Sequence, residues 1–471
     1  MTSLGVELLL SVSRNSGRSL GRQIEDQLRR GIRIGTLKRG TRVPSTRDLA
    51  LQLGVSRPIV VAAYSQLAAE GYLVLKQGRR PRVSGCVGPC REPSAKRPVP
   101  ASRPHFDFGV GTPDLSAFPR SAWLRSLREA LTHMPHEELG YGDPRGVEGL
   151  RRALAEYLGR VRGLVTDVEQ VVVTSGYAQG RVLVCEALRT IGRKRVAIED
   201  PGNPAARDAV LQAGLELVAI PVDRDGIRVD VLTRSGADVV ILTPAHQFPT
   251  GAVLSGERRA GILGWLREHD AIVVEDDYDA EYRYDRAPVG ALQAHQPERI
   301  VYAGTASKTL APALRLGWLV VPPVLLEAVA AARRRADLGG PRIEQYAFAD
   351  FLNRGELDRH LRRQRASYRA RRDALLLGLK EALPEATIFG ICAGLHATVG
   401  LPESDNEQAI QEEAKQRGIA VTIMAKHRIK ARGGPPTLLL SYARVDEPTI
   451  RAGIKQLAAA IRAVRRRAAM G

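Results

Sequence analysis

The sequence predicts an α/β protein with a small helical module at its front. Three observations carry this. Residues 171–303 alternate short apolar runs with helical periodicity, which marks a mainly parallel sheet with helices on both faces. Residues 19–83 instead hold three helical segments and then a short pair of β-type runs. Between the two, residues 85–105 carry five prolines and almost no large apolar side chain, as a semi-extended linker does. The expected division is 12–84, a linker over 85–105, and 106–471. Fully extended, that linker would span roughly 60 Å.

In the front module, Leu20, Ile24, Leu28 and Ile32 repeat at helical spacing, so residues 19–34 form an amphipathic helix. The stretch from Gly35 to Gly40 ends it. Ser45 N-caps a short helix through Leu53. Gly54-Val55 turns, Ser56 caps the next helix, and Pro58 sits in its first turn, where a missing N–H costs nothing. That helix runs to about Glu70. Residues 71–75 and 82–83 flank Gly78 and give a two-stranded wing. Helix, turn, helix and hairpin make a winged helix-turn-helix, whose second helix enters the major groove by its N-terminal end. Ser56, Arg57 and Pro58 are thereby placed at bases or phosphates of duplex DNA. Arg47, on the supporting helix, is expected at backbone or base, and Gly78, Arg79 and Arg80 at the wing tip are expected to reach the minor groove or phosphates.

Charge agrees with this placement. The chain carries +19, and residues 1–105 hold 19 Lys/Arg against 6 Asp/Glu. A basic module of that kind is an electrostatic footprint for nucleic acid. Four cysteines, at 86, 90, 185 and 392, suggest no disulfide framework and a reducing cytosol. Cys86 and Cys90 make half a metal site at best, and no metal is expected. The apolar start around Leu8-Leu9-Leu10 is too short for a secretory signal. The run from Trp318 to Ala332 is broken by Pro322, Pro323 and Glu327, so no membrane span is expected. These features predict a soluble, cytoplasmic protein.

In the α/β part, short buried strands are expected at 171–174, 196–198, 217–221, 239–242, 271–275 and 300–303. Ligands of such sheets lie beyond the carboxyl ends of the strands, where the candidate residues cluster. Lys308 follows the hydroxyls of Thr305 and Ser307, and Arg315 comes seven residues later. A lysine that forms a Schiff base needs a partly desolvated, hydroxyl-lined pocket. An arginine one loop away clamps a phosphate through its planar fork. Together they would hold an aldehyde-phosphate cofactor. Taken singly, Lys308 would be a surface lysine and Arg315 an ordinary ion-pair partner. After the first strand, Gly176-Tyr177-Ala178 opens a helix whose free N–H groups suit a phosphate. The run Glu275-Asp276-Asp277-Tyr278 ends another strand with an acidic cluster, which alone could equally bind a metal or cap a helix.

The Ser-Lys-x6-Arg-x-Gly pattern resembles the pyridoxal 5'-phosphate lysine loop of fold-type I aminotransferases. The front module, with Pro44-Ser45-Thr46-Arg47-Asp48-Leu49-Ala50 and Leu53-Gly54-Val55-Ser56-Arg57, is similar to GntR-type domains. The fusion resembles the MocR-type (GabR-like) regulators over residues 15–84 and 106–465. That resemblance implies a fold-type I aminotransferase-like domain with a small C-terminal α/β subdomain, and Lys308 as the Schiff-base residue. Asp276 would lie at the pyridine nitrogen, with Asp277 the alternative, and Tyr278 at the cofactor's O3′. Arg315 and the 176–178 turn would take the phosphate, and Ser307 would be a further cofactor contact. The loop Thr243 to Gly251 is similar to an Asn-Pro-Thr-Gly loop with Phe248 in place of the asparagine. His246 there either faces the ring or packs in the loop. Effector contacts carried over are Arg444, Arg207 and Tyr141, the last reaching a partner subunit of a head-to-tail homodimer. Asn203 stands where relatives carry tyrosine, and Val61 where they often carry a basic residue.

The resemblance implies a DNA-binding transcriptional regulator in which an amine, an amino acid or pyridoxal phosphate itself is sensed. The alternatives are a working aminotransferase with a fused DNA-binding domain, and a nucleic-acid-binding scaffold with an inert pocket. The arginines of residues 333–373 are expected on a solvated helix face, or else on a second DNA surface.

Overall fold

The computed structural model describes residues 10–84, 104–284, 290–429 and 434–470. It divides into two compact units, Met1–Ala101 and Ser102–Gly471. Most of the expected linker, with Cys86 and Cys90, and the apolar start at Leu8 and Leu9 lie outside the described residues.

The first unit contains α1 (Leu20–Arg33), α2 (Thr46–Leu53) and α3 (Arg57–Ala69), then β1 (Leu73–Val74) and β2 (Arg82–Val83). Ser19 caps α1, and the Ser45 hydroxyl accepts the Asp48 N–H at 3.2 Å to cap α2. Gly54 ends α2 at φ 62°, where a glycine carries no steric cost. Ile24, Leu28 and Ile32 from α1 meet Leu49, Val60, Tyr64 and Leu67 in one core. Burying each such side chain contributes about 1.5–3 kcal/mol. The Tyr64 hydroxyl donates to the Pro44 carbonyl at 3.0 Å and ties α3 to the entry of α2. The wing pairs Leu73 with Val83 in antiparallel register, and Arg42 bridges to Arg82.

The second unit opens with β3 (Phe106–Asp107), α4 (Arg120–His133) and α5 (Glu148–Arg162). The chain continues through β4 (Val171–Thr174), α6 (Tyr177–Thr190), β5 (Arg195–Asp200), α7 (Pro204–Gln212), β6 (Glu216–Asp223), β7 (Gly226–Ile227) and α8 (Val229–Arg234). Next come β8 (Val239–Leu242), α9 (Gly256–Glu268), β9 (Ile272–Asp276), β10 (Ile300–Thr305), the single turn α10 (Ala306–Thr309), β11 (Gly317–Val320) and α11 (Pro323–Asp337). The main sheet runs β4-β11-β10-β9-β8-β5-β6-β7. Its central strands are parallel, while β11 is antiparallel to both its neighbours. Strand periodicity sends alternate residues to opposite faces. Val239 and Ile241 therefore join one core, and Val240 and Leu242 the other.

The remaining elements are α12 (Ile343–Asn353), α13 (Glu356–Ala382), β12 (Thr387–Phe389), β13 (His396–Gly400), α14 (Glu407–Gln416), β14 (Ile419–Ala420), β15 (Thr422–Ile423), β16 (Thr437–Ser441) and α15 (Glu447–Met470). A second sheet, β12-β13-β16-β15, packs with α13, α14 and α15 as a small C-terminal α/β subdomain. β3 pairs in parallel with β14, so the start of this unit is anchored on its C-terminal part. Among the described residues no helix is long and apolar enough to cross a membrane.

Two sequence expectations need correction. β11 was not anticipated, because Trp318-Leu319-Val320 merges with the apolar start of α11 and only Pro322-Pro323 separates them. The arginines of 333–373 form neither one solvated face nor a continuous basic surface. Arg333 is buried against Asp337 at 2.7 Å, and Arg365 donates to the Glu281 carbonyl at 2.6 Å. Arg371 joins the Ala443 carbonyl to Asp114, and Arg372 lies over the Tyr284 ring. Arg359, Arg362 and Arg363 do stay exposed. The periodicity hid this, because a long arginine buries its stem and carries its head to a distant carbonyl.

A deeply buried ion pair of the second unit joins Arg162 at the end of α5 to Asp277, just past β9. Its two N–O distances are 2.6 and 2.7 Å, and the Tyr302 hydroxyl donates to the same oxygen at 2.7 Å. Breaking it leaves an uncompensated buried charge. Arg162→Leu is expected to lower stability by about 3–5 kcal/mol, read as a lower denaturant midpoint of the cofactor-free protein.

Candidate functional site

The carboxyl ends of the parallel strands gather the expected pocket. β4 ends in the turn Ser175-Gly176, where Gly176 takes φ +76° and opens α6. Arg315 precedes β11 at φ +51°, and its Nη2 donates to the Ser175 carbonyl at 2.6 Å. A Cβ at Gly176 would stand 3.1 Å from that guanidinium, and one at Gly317 only 2.8 Å from the Gly176-Tyr177 backbone. Glycines at both positions let the arginine lie over the helix entrance. The Tyr177 and Ala178 amides stand there in the first turn, beyond any intrahelical acceptor. Cation and N–H groups thus converge from positions about 140 residues apart.

At the end of β9 three successive acids diverge. Glu275 accepts the Leu292 and Gln293 amides at 3.0 and 3.1 Å. Asp277 is held by Arg162 and Tyr302, which takes it out of contention as the alternative partner for a ring nitrogen. Asp276 turns the other way, beside the Tyr177 hydroxyl and Arg181. Burial pushes its pKa up to about 7, against the pull of Arg181. Arg181 sits one turn after Tyr177 with its guanidinium 5.4 Å from that ring. Sequence reading did not single it out, although the i,i+4 spacing places both side chains on one helix face.

Lys308 lies on α10, whose first turn is capped by Thr305 through the Ser307 N–H at 3.2 Å. Thr305 Oγ1 and Ser307 Oγ are 3.0 Å apart. The Lys308 ammonium donates to the Gly111 carbonyl. Burial lowers its pKa from the usual lysine range, and the Asp279 and Asp276 carboxylates oppose that shift. Tyr278 is partly buried, with its hydroxyl 3.0 Å from His246 Nδ1. The same nitrogen lies 2.9 Å from Asp279 Oδ2. His246 is therefore packed in the loop against Tyr278, Asp279 and His396. Asp279 is a further residue that sequence reading passed over, and its only local signal is a carboxylate one position beyond Tyr278.

The three expected effector residues are not gathered in this way. Tyr141 is 88% exposed. Arg207 lies 3.8 Å from its neighbour Asp208. Arg444 is already paired with Asp107 at 2.5 Å, four residues before Gly111. Asn203 caps α7 by accepting the Ala205 N–H at 3.1 Å.

In the first unit Arg47, Ser56, Arg57, Pro58, Gly78 and Arg79 are all exposed. Ser56 holds the N-cap position of α3, but its side chain makes no capping bond, contrary to expectation. Arg57 Nε lies 3.4 Å from Thr46 Oγ1, which joins the two helices of the motif. Gly78 turns the wing at φ +72°.

Residues 20–83 match the family described as bacterial regulatory proteins, gntR family, and residues 103–457 match aminotransferase class I and II. The chain is 32% identical to the probable rhizopine catabolism regulatory protein MocR of Rhizobium meliloti, covering 97% of this chain and 96% of that protein. It is also 32% identical to the HTH-type pyridoxine biosynthesis transcriptional regulator PdxR of Corynebacterium glutamicum, over 97% and 99%. Among solved structures, Pyrococcus horikoshii kynurenine aminotransferase in complex with PMP is similar at 29% identity and TM-score 0.70, covering 76% of this chain and 91% of that one.

Gly176→Ala would force a left-handed φ on alanine and crowd the guanidinium of Arg315. Strain of about 1–3 kcal/mol is expected there. Equilibrium dialysis should find pyridoxal phosphate retained at least tenfold more weakly, with the fold intact by circular dichroism.

Proposed function

The chain belongs to the MocR-type transcriptional regulators, in which a gntR-family DNA-binding domain is fused to an aminotransferase class I and II domain, and on that premise we propose how its residues divide the work. Its cofactor is pyridoxal 5'-phosphate. The donor set fits that group. A guanidinium and helix-entry amides suit the phosphate, a buried carboxylate suits a protonated ring nitrogen, and a desolvated lysine suits the aldehyde. Once bound, the cofactor supplies a carbonyl carbon that primary amines attack reversibly.

In this reading Arg315, Ser307 and the Gly176-Tyr177-Ala178 entrance hold the phosphate. Asp276 keeps the ring nitrogen protonated, with Arg181 favouring its ionised form despite burial. Tyr278 addresses the ring oxygen O3′, and Lys308 holds the aldehyde. An amine or amino acid, or the cofactor itself, is the sensed molecule. A carboxylate effector taken by Arg444 has to displace Asp107 first. Arg207 is less committed, since its neighbouring acid is 3.8 Å away. Tyr141, exposed on a single chain, enters in this reading the site of a second copy in a head-to-tail homodimer. In the first unit Ser56, Arg57 and Pro58 at the entry of α3 read the major groove. Arg47 supports them, and Gly78 and Arg79 meet the flanking phosphates. The effector then shifts the population of states that bind the operator.

The observation that carries this reading is the convergence of Lys308, Asp276 and Arg315 in a chain that also bears a winged helix-turn-helix. Two measurements test it. Borohydride reduction of the holoprotein, followed by peptide mapping, should put the pyridoxyl label on Lys308; a label elsewhere overturns the assignment. Arg57→Ala should abolish binding to duplexes selected on the wild-type protein from a random library while cofactor loading is unchanged. Equal loss of both would overturn the division of labour.

A further inference from the structure

His246, Tyr278 and Asp279 form a closed triangle of polar atoms. One nitrogen, His246 Nδ1, stands 3.0 Å from the Tyr278 hydroxyl and 2.9 Å from Asp279 Oδ2. The second nitrogen, Nε2, is buried and has no hydrogen-bond partner among the described residues. A carboxylate oxygen accepts, so the short contact between Nδ1 and Asp279 calls for an N–H at Nδ1. The ring proton therefore belongs on Nδ1, where the Asp279 carboxylate accepts it. The ring lies close to Gly251 and Gly394, and a Cβ on Gly394 would stand 2.1 Å from it.

The triangle holds one competition. The Tyr278 hydroxyl has a single proton, and Asp279 is a ready acceptor for it. We propose that His246 is a positioning residue whose Nδ1–H occupies Asp279, so that the Tyr278 proton stays free to be donated to the ring oxygen of the cofactor. The inference rests on the placement of Tyr278 at that oxygen. It assigns to His246 and Asp279 a control over the protonation of the lysine-bound cofactor. A donor at the ring oxygen stabilises its negative charge and so favours the unprotonated form of the lysine linkage. Loss of the donor raises the pH at which that form appears. The other charged or titratable groups facing the triangle are Lys308, Asp276, Glu199 and His396, with Glu281, Tyr284 and Tyr442 toward Asp279. Burial holds His396 down at about 4, so it stays neutral across the working range.

The test is the visible absorbance of the holoprotein titrated with pH. His246→Leu should raise the midpoint by about one pH unit, the size expected for one lost hydrogen bond to a charged oxygen. Tyr278→Phe should raise it equally, and the two together should raise it no further. His246→Asn, whose amide N–H falls near the Nδ1 position, should restore the wild-type midpoint. Asp279→Asn should move it downward, because it removes both the competing acceptor and a negative charge near Lys308. Additive shifts, equal damage by leucine and asparagine at 246, or an unmoved midpoint in His246→Leu would overturn the proposal. Should His246→Leu fail to fold, an upward or absent shift in Asp279→Asn would overturn it alone. A wild-type protein without lysine-bound cofactor absorbance would instead refute the underlying site assignment.

Discussion

The buried ion pair of Arg162 and Asp277 decides what the rest of the pocket is. Two aspartates stand side by side at the end of β9, and strand geometry sends them to opposite faces. Either could serve a ring nitrogen as far as chemistry is concerned. The guanidinium from α5 and the hydroxyl of Tyr302 both bind the same oxygen of Asp277. Asp276 is left on the opposite face, beside Tyr177 and Arg181. Such a pair adds little net stability, since its attraction is offset by the loss of hydration. What it settles is orientation.

Local patterns carried much of the architecture. The cap at Ser45 and the repeat of Ile24, Leu28 and Ile32 were legible, because each depends on neighbours within one or two helical turns. The parallel strands were legible because a strand buried on both faces is an uninterrupted apolar run. The lysine loop was legible as a spacing. Residues whose meaning lies in distant partners were not. Asp107 sits on a two-residue strand and meets Arg444 from the far end of the chain. Asp279 acquires its place from His246, 33 residues earlier. No local window contains either relation.

The arginines teach the same lesson about charge. Counted along the sequence, those of α11 to α13 invite a reading as a basic surface. In the fold many are spent on carbonyls and carboxylates of their own unit, as with Arg365, Arg369 and Arg371. In the first unit Arg47, Arg57 and Arg79 stand exposed around the helix-turn-helix. The basic balance that matters for a polyanion is thus concentrated where the grooves of a duplex would be met.

β11 has one more implication. Because it runs against its neighbours, its first residue lies at the same edge of the sheet as the last residues of β4 and β10. A single reversal of the chain between Thr309 and Leu316 therefore delivers the lysine and the arginine to one rim. Their separation is set by the length of that reversal. A single inserted residue there would leave both side chains in the polypeptide and slide β11 by one position, turning Trp318 from one layer to the other. The distance between the two binding groups is in this sense written in a residue count.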